Sequence, residues 1–502
     1  MLPVMLHSLL AALTPKLLLL NLIGTALGVL IGALPGLTAT MGVALVVPLT
    51  FGLPPTQALT VLMGLYIGAI QGGSIPAVLI NTPGTPAATA TCIDGYVLSQ
   101  RGQAGKALGM SMMGSWIGTM VGWVILVTVA PVLANFALRF SAPEYFALAL
   151  FGLTIIVTLS ADSLTKGLIA GAVGLLLAMV GMDPITGVSR FTLGSVELMS
   201  GVSFIPAMIG LFAVSEAFNS IEKIVALPRI VQSLKGIIPP WRDIKRCIPV
   251  YLRSSLIGTF IGALPGAGAD IAAFVSYSEA KRWSKHPDEF GKGSLEGVAA
   301  PETGANAVCA GAMIPLLTLG VPGDSVTAIL LGALMVQGLR PGATLFTEQA
   351  GVIWTVFFGM LVANALTLIV GMSGAPLFAR AISIPRKYLV PIILLLCTVG
   401  SYVMRNSATD ILVMLVFGLA GYLGGKMGIP SSPVVLALIL GPMAEENFRR
   451  ALVMSHGNYG IFATRPISGT LLAISLVSVA LPVWQRYRKS RGRQAAMEGD
   501  EP

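Results

Sequence analysis

From Leu17 to Ile93 the chain carries no Asp, Glu, Lys, Arg or His, an uncharged run of 77 residues. A helix that spans a bilayer needs roughly 20 apolar residues, so this run alone holds two or three membrane segments. Only 11% of the whole chain is charged and 55% is hydrophobic, against about 25% charged in a soluble domain. The expected fold class is an all-α polytopic membrane protein with about 10–12 transmembrane helices. The 58 glycines and 32 prolines suit membrane helices, where neighbouring helices satisfy the backbone groups that such residues free.

The net charge of +9 is not a nucleic-acid footprint, and no nucleic-acid partner is expected. Its excess sits in Lys223 to Arg253 and in Arg486 to Arg493, where the positive-inside rule places cytoplasmic loops; the C-terminus is therefore expected in the cytoplasm. Cys92, Cys247, Cys309 and Cys397 are far apart and the three histidines are isolated. That spacing fits neither a disulfide framework nor a zinc site, so no metal and no cofactor is expected. With no Lys or Arg before Lys16 and apolar sequence running on, no cleavable signal is expected.

The pentapeptide Gly-Ala-Leu-Pro-Gly occurs at Gly32–Gly36 and again at Gly262–Gly266, an offset of 230 that also pairs Gly28, Ile31 and Ala39 with Gly258, Ile261 and Ala269. Ile75-Pro76 and Pro83-Gly84 recur as Ile314-Pro315 and Pro322-Gly323 at an offset of 239. Two homologous halves follow, residues 1–221 and 254–485, joined by a cytoplasmic connector at 222–253 and ending in a basic cytoplasmic tail at 486–502. Whether the halves run parallel or inverted stays open. Gly/Pro-interrupted hydrophobic segments at corresponding places in two halves are the sequence mark of a transporter's binding site.

The chemistry of these patches is backbone chemistry. Proline removes a donor and glycine tolerates unusual dihedrals, so a helix breaks there and presents N–H groups to an anion. The expected substrate-binding positions are Pro35, Gly36, Thr38 and Thr40, then Ser74, Asn81, Thr82, Gly84 and Thr85. In the second half they are Pro265, Gly266, Gly268, Gly323 and Ser325. Thr40 aligns with Asp270 and Thr85 with Asp324, so hydroxyls in one half answer carboxylates in the other. Asp270, Asp324, Glu302 and Asn306 are the expected coupling-cation ligands; an ionisable residue within a span costs about 2.5–3.5 kcal/mol and asks for a reason. The plain alternative makes the patches ordinary inter-helix turns and the acids loop-end residues in water.

Other features carry less. Gly114, Gly118 and Gly122, flanked by Ser111, Ser115 and Thr119, form a small-residue stripe that permits close helix packing, within this chain rather than at a dimer seam. Asp94-Gly95 with Gln100 and Gly105 reads as a loop, as do Lys281 to Glu289. Glu445, Glu446, Arg449 and Arg450, just past Gly441-Pro442, read as an interfacial turn with self-pairing charges.

The patches Gly32–Thr40, Gly72–Pro76, Asn81–Pro86, Gly262–Asp270, Pro301–Asn306 and Ile314–Asp324 resemble those of the large membrane subunit of the tripartite tricarboxylate transporter family. The resemblance covers essentially the whole chain. It implies a multi-pass permease of the bacterial inner membrane, working with a small transmembrane subunit and a periplasmic solute-binding protein that delivers citrate or another small-molecule carboxylate. It also implies uptake driven by a Na⁺ or H⁺ gradient; no Gly-x4-Gly-Lys-Ser/Thr phosphate loop is present. A stand-alone ion-coupled carrier shares every physical feature above. A membrane enzyme is disfavoured, because His7, His286 and His456 lie at a terminus and in loops and no Gly-x-Ser-x-Gly occurs.

Overall fold

The computed structural model describes residues 2–159, 163–183, 185–222, 234, 236–382 and 386–480. The basic tail at 486–502, on which the cytoplasmic C-terminus was expected, and residues 223–233 and 235 of the connector lie outside the described residues.

The first stretch is wholly helical: α1 (Leu2–Ala12), α2 (Pro15–Ala33), α3 (Ala39–Val46), α4 (Pro55–Gly72), α5 (Ser74–Ile80), α6 (Thr89–Gln100) and α7 (Ala104–Ala137). Next come α8 (Ala142–Leu159), α9 (Leu164–Ala178) and a two-residue antiparallel ladder, β1 (Gly181–Met182) against β2 (Ser189–Arg190). Helix α10 (Phe204–Met208) passes through a π-helical segment at Ile209–Val214 into α11 (Ser215–Glu222). The order then runs α12 (Trp241–Ala263), α13 (Gly268–Trp283), α14 (Leu295–Gly311), α15 (Met313–Leu319), α16 (Ser325–Val336), α17 (Leu345–Glu348) and α18 (Ala350–Ala381). It ends with α19 (Arg386–Arg405), α20 (Ala408–Lys426), α21 (Ser431–Met454) and α22 (Ile461–Thr464).

Among the described residues seven helices are long and apolar enough to cross a membrane, and the protein is an all-α polytopic membrane protein. Of these, the segment Pro55–Ile80 is buried along its whole apolar window, which puts α4 and α5 inside the molecule rather than against lipid.

Two compact units make up the chain. One comprises Met1–Leu138 with Ile205–Tyr422, the other Arg139–Phe204 with Leu423–Pro502. In the first, α2 packs on α4 and α12 on α14, both through glycines. A methyl group added at Gly28 would lie 2.3 Å from the Leu65 carbonyl oxygen; at Gly258 it would lie 2.1 Å from that of Gly304. Gly28 to Gly258 is the offset of 230 and Leu65 to Gly304 the offset of 239, so contacts as well as motifs recur at those spacings. Small residues at a helix seam let backbones approach and gain van der Waals contact where lipid supplies no hydrophobic drive. The stripe on α7 is used in the same way inside the chain: a methyl at Gly118 would stand 2.2 Å from the Thr303 carbonyl oxygen of α14.

In the other unit α21 packs on α8 and α9, with Gly174 set close against Val434 and Ala437. The expected turn after Pro442 is instead the middle of the continuous helix α21. Its charges pair at i,i+4 as expected, Arg449 with Glu445 at 2.7 Å and Arg450 with Glu446. Such pairs are a helical arrangement, since residues four apart share a face. Arg449 also reaches Asp183 at 2.6 Å, and Arg190 holds Glu445 through two hydrogen bonds.

Candidate functional site

Each expected break forms where proline dictates it. The residue before proline is pushed out of the helical region, and Leu34 (φ −91°, ψ 111°) and Leu264 (φ −88°, ψ 120°) close α2 and α12 in nearly the same conformation. Gly36 and Gly266 follow with φ of 92° and 84°, left-handed values that favour glycine. Downstream, α4 and α5 are separated at Gly73 and α14 and α15 at Ala312. Both short helices end left-handed, at Asn81 and Gly320.

The breaks come together in pairs. A methyl at Gly84 would sit 1.9 Å from the Gly32 carbonyl oxygen, and the Gly84 N–H donates to Gly73 O at 3.1 Å. At the counterpart positions, a methyl at Gly323 would sit 2.3 Å from Gly262 O, and the Gly266 N–H donates to Gly323 O at 2.7 Å. The two sets then face each other reciprocally. The 3-10 turn at Pro86–Ala88 packs on α13 and α14, while α16 packs on α3 and α4.

Several hydroxyls expected to meet substrate are already engaged. Thr38 caps α3 by accepting from the Met41 N–H at 3.1 Å. Ser74 donates to Gln71 O at 2.7 Å and Thr82 to Ile80 O at 3.3 Å. Thr85 differs: it is buried and its hydroxyl has no hydrogen-bond partner among the described residues. Thr40 lies half-buried in the first turn of α3, Ser325 half-buried at the start of α16, and Asn81 is exposed. Pro35 and Pro265 are buried, whereas Gly266 and Gly268 are half-buried.

The four cation candidates do not share one set of contacts: Glu302 and Asn306 meet at Ser115, while Asp324 binds Tyr66 and Thr327. Asp324 is the N-cap of α16: Oδ1 accepts from the Thr327 N–H at 2.8 Å, and the Thr327 hydroxyl accepts from the Asp324 N–H at 2.9 Å. Its other oxygen accepts from the hydroxyl of Tyr66, on α4, at 2.6 Å. Asp270, in the first turn of α13, is exposed. Glu302 is 1% exposed, mid-helix in α14 and far from the loop end that the plain alternative required. It accepts from Thr91 of α6 at 2.6 Å and from Ser115 of α7 at 3.3 Å. Asn306, one turn on, donates to Ser115 Oγ at 2.9 Å, and its buried side-chain oxygen has no hydrogen-bond partner among the described residues. No group of three or more His, Cys, Asp or Glu able to hold a metal occurs among the described residues.

Three participants escaped the sequence reading. Tyr66 is one tyrosine in an apolar run and carries no local signal. Thr91 and Asp94 stand on a helix where a loop was expected; α6 runs Thr89–Gln100, and the turn follows at Arg101–Gln103. Helix-averse Asp94-Gly95 is tolerated because Asp94 is fully buried as an acceptor. Its Oδ1 takes the N–H groups of Gly291, Gly293 and Ser294 at 2.7–2.9 Å, and Oδ2 takes the Tyr277 hydroxyl at 2.9 Å.

Fully helical spans, paired interruptions and buried carboxylates beside them define a multi-pass membrane protein with discontinuous helices at its centre. The chain belongs to the tripartite tricarboxylate transporter TctA family, whose model matches residues 18–436. It is 38% identical over 482 residues to the "Uncharacterized 52.8 kDa protein in TAR-I ttuC' 3'region" of Agrobacterium vitis, covering 96% of each chain. It is also 38% identical over 243 residues to the "Uncharacterized protein in TAR-II ttuC' 3'region" of the same organism, covering 48% of this chain and 100% of that one. No solved structure matches the chain.

Proposed function

We propose that this chain is the large permease subunit that moves a carboxylate, citrate or a related organic acid, across the bacterial inner membrane on a Na⁺ or H⁺ gradient. A periplasmic solute-binding protein delivers the anion and a small transmembrane subunit completes the assembly; the C-terminus lies in the cytoplasm. In this reading the recurrent offsets record a duplication, and the two halves form the two walls of the path. Substrate carboxylate rests on backbone N–H groups near Gly36, Gly84, Gly266 and Gly323, with the free hydroxyl of Thr85 as a further partner. Asp324, with Asp270, takes the cation, and Glu302 with Asn306 forms a second polar station. No catalytic residue takes part.

The observation that supports the reading best is the Asp324 carboxylate itself, buried at a helix break and bridged to the other sequence half by Tyr66. A buried carboxylate in a membrane interior is costly and marks ion pathways and proton relays. Half-helix ends beside it are the usual means of holding an anion and its coupling ion in secondary transporters.

The test is uptake of radiolabelled carboxylates into proteoliposomes holding this chain and the small subunit, with and without a binding protein and with and without a Na⁺ or H⁺ gradient. Uptake that needs both is expected. Uptake without any binding protein would assign a stand-alone carrier, and uptake without a gradient would remove ion coupling.

A further inference from the structure

Away from the helix breaks, the first unit carries a cavity of about 530 Å³ between the end of α6, the start of α7, the N-terminal part of α12 and the loop joining α13 to α14. Five cationic side chains line it (Arg101, Lys106, Arg246, Lys285 and Lys292) against two carboxylates, Asp288 and Glu289. Two cations are already matched. Lys106 pairs with Asp243 at 2.7 Å, and Arg246 pairs with Glu289 at 2.9 Å and Glu296 at 3.2 Å. Arg101, Lys285 and Lys292 have no ion-pair partner among the described residues, and Asp288 is the one lining carboxylate outside those pairs, so the unpaired side chains of the cavity are mainly cationic.

The wall is built rather than loose. Asp94 fixes the backbone of Gly291, Gly293 and Ser294 from beneath, and Ser284 donates to Glu296 at 2.6 Å. The loop between Ser284 and Ser294 is thereby tied at both ends, and Lys285, His286 and Lys292 project from a fixed frame.

Two exposed tryptophans flank its basic residues in the chain. Trp283 ends α13 two residues before Lys285, and Trp241 begins α12 five residues before Arg246; both are strongly exposed. Arg253 lies over the Trp283 ring at 5.9 Å. Beyond Trp241 and Arg246, α12 presents the exposed apolar row Leu252, Leu256 and Phe260, a lipid-facing pattern. A tryptophan that precedes such a row, as Trp241 does, marks the headgroup level, and basic clusters there attract anionic lipid.

From this placement we propose that the cavity is a binding site for a phosphate group, supplied by the headgroup of an anionic phospholipid. Guanidinium and ammonium groups suit phosphate through charge-assisted hydrogen bonds. The site is separate from the helix breaks and independent of which anion is carried.

The test uses the full chain purified in detergent, with native mass spectrometry and thermal unfolding as readouts. The probes are phosphatidylglycerol, phosphatidylcholine, inorganic phosphate and citrate. The variants are the triple Arg101→Gln, Lys285→Gln, Lys292→Gln and a control, Lys281→Gln with Arg282→Gln, which lies outside the cavity. Phosphatidylglycerol is expected to bind the wild type and the control in preference to phosphatidylcholine, and about a hundredfold more weakly to the triple variant. Binding of inorganic phosphate alone, lost in the triple variant, would keep the phosphate site and assign it a soluble ligand. Equal phosphatidylglycerol binding by wild type and triple variant, equal binding of the two lipids, or binding of citrate but neither phosphate source would overturn the proposal. If the triple variant fails to fold, Lys292→Gln alone carries the same comparison with a smaller expected loss.

Discussion

The hydroxyl of Tyr66 donates to Oδ2 of Asp324 at 2.6 Å, joining helices 258 residues apart in the chain. Tyr66 lies in the buried stretch of α4 from Ala58 to Gly72, and Asp324 opens α16 with its other oxygen on Thr327. One carboxylate thus holds a helix start and ties it to the opposite sequence half. In the proposed mechanism, a cation or proton arriving there competes for oxygens that also fix two helices, which links occupancy to the position of α16.

The glycine appositions are expected to be steric requirements. Gly84→Ala and Gly323→Ala each force a methyl onto a backbone carbonyl and should destabilise the protein by about 1–3 kcal/mol or more, as overpacking does. Gly351→Ala, which meets open space, should leave the unfolding midpoint in place. Equal midpoints for all three would mean the breaks have room to relax.

Asp94 is expected to hold the loop that ends at Ser294. Asp94→Ala leaves three N–H groups without their acceptor, and hydrogen bonds to a charged group are worth about 1.5–3 kcal/mol. Amide exchange at Gly291, Gly293 and Ser294 should accelerate by about tenfold or more. Unchanged exchange there would show that the loop is fixed by other contacts.

Glu302 tests whether the proposed second station needs an acceptor or a charge. Glu302→Gln retains an oxygen for the Thr91 hydroxyl; Glu302→Ala leaves that buried hydroxyl unpaired, while Ser115 keeps the Ser111 carbonyl, at a cost of about 1–3 kcal/mol. Stability should therefore fall in the order wild type, Gln, Ala, while gradient-driven uptake is lost in both variants. Full uptake by the Gln variant would remove Glu302 from ion coupling.

Acid sensitivity is expected in the second unit. The N–H groups of Thr186 and Ile185, then Arg449, hold the Asp183 carboxyl well below its ordinary range. A depressed folded-state value contributes stability that is present above the unfolded value, roughly pH 4, and is lost as pH falls through and below it. Asp183→Asn should lower stability at neutral pH and flatten its decline between about pH 4 and 2. A parallel decline in both proteins would place the acid sensitivity elsewhere.

What could be read from the sequence follows from how locally each residue acts. Pro35 and Pro265 impose their conformation on the residue before them wherever they stand, so the breaks and their recurrence were legible. Thr38 and Ser74 stand beside the breaks as their sequence positions imply, yet their hydroxyls serve the backbone, because short polar side chains bond their own neighbourhood. Tyr66 was invisible since its meaning lies in a partner from the other half. Asp94 was misjudged for the same reason: local propensity favours a turn, and only the distant Gly291–Ser294 backbone makes a buried aspartate on a helix worthwhile. Glu302 was placed among the site residues, but its contact with Thr91 required knowing that α6 is a helix.

The most direct test of the account is Asp324→Asn, because asparagine caps a helix about as well as aspartate while removing the charge. The measurement is gradient-driven carboxylate uptake in proteoliposomes, with thermal stability recorded on the same preparation. The account predicts near wild-type stability with uptake abolished. Normal uptake at normal stability would contradict it, leaving Asp324 as the cap of α16 and nothing more.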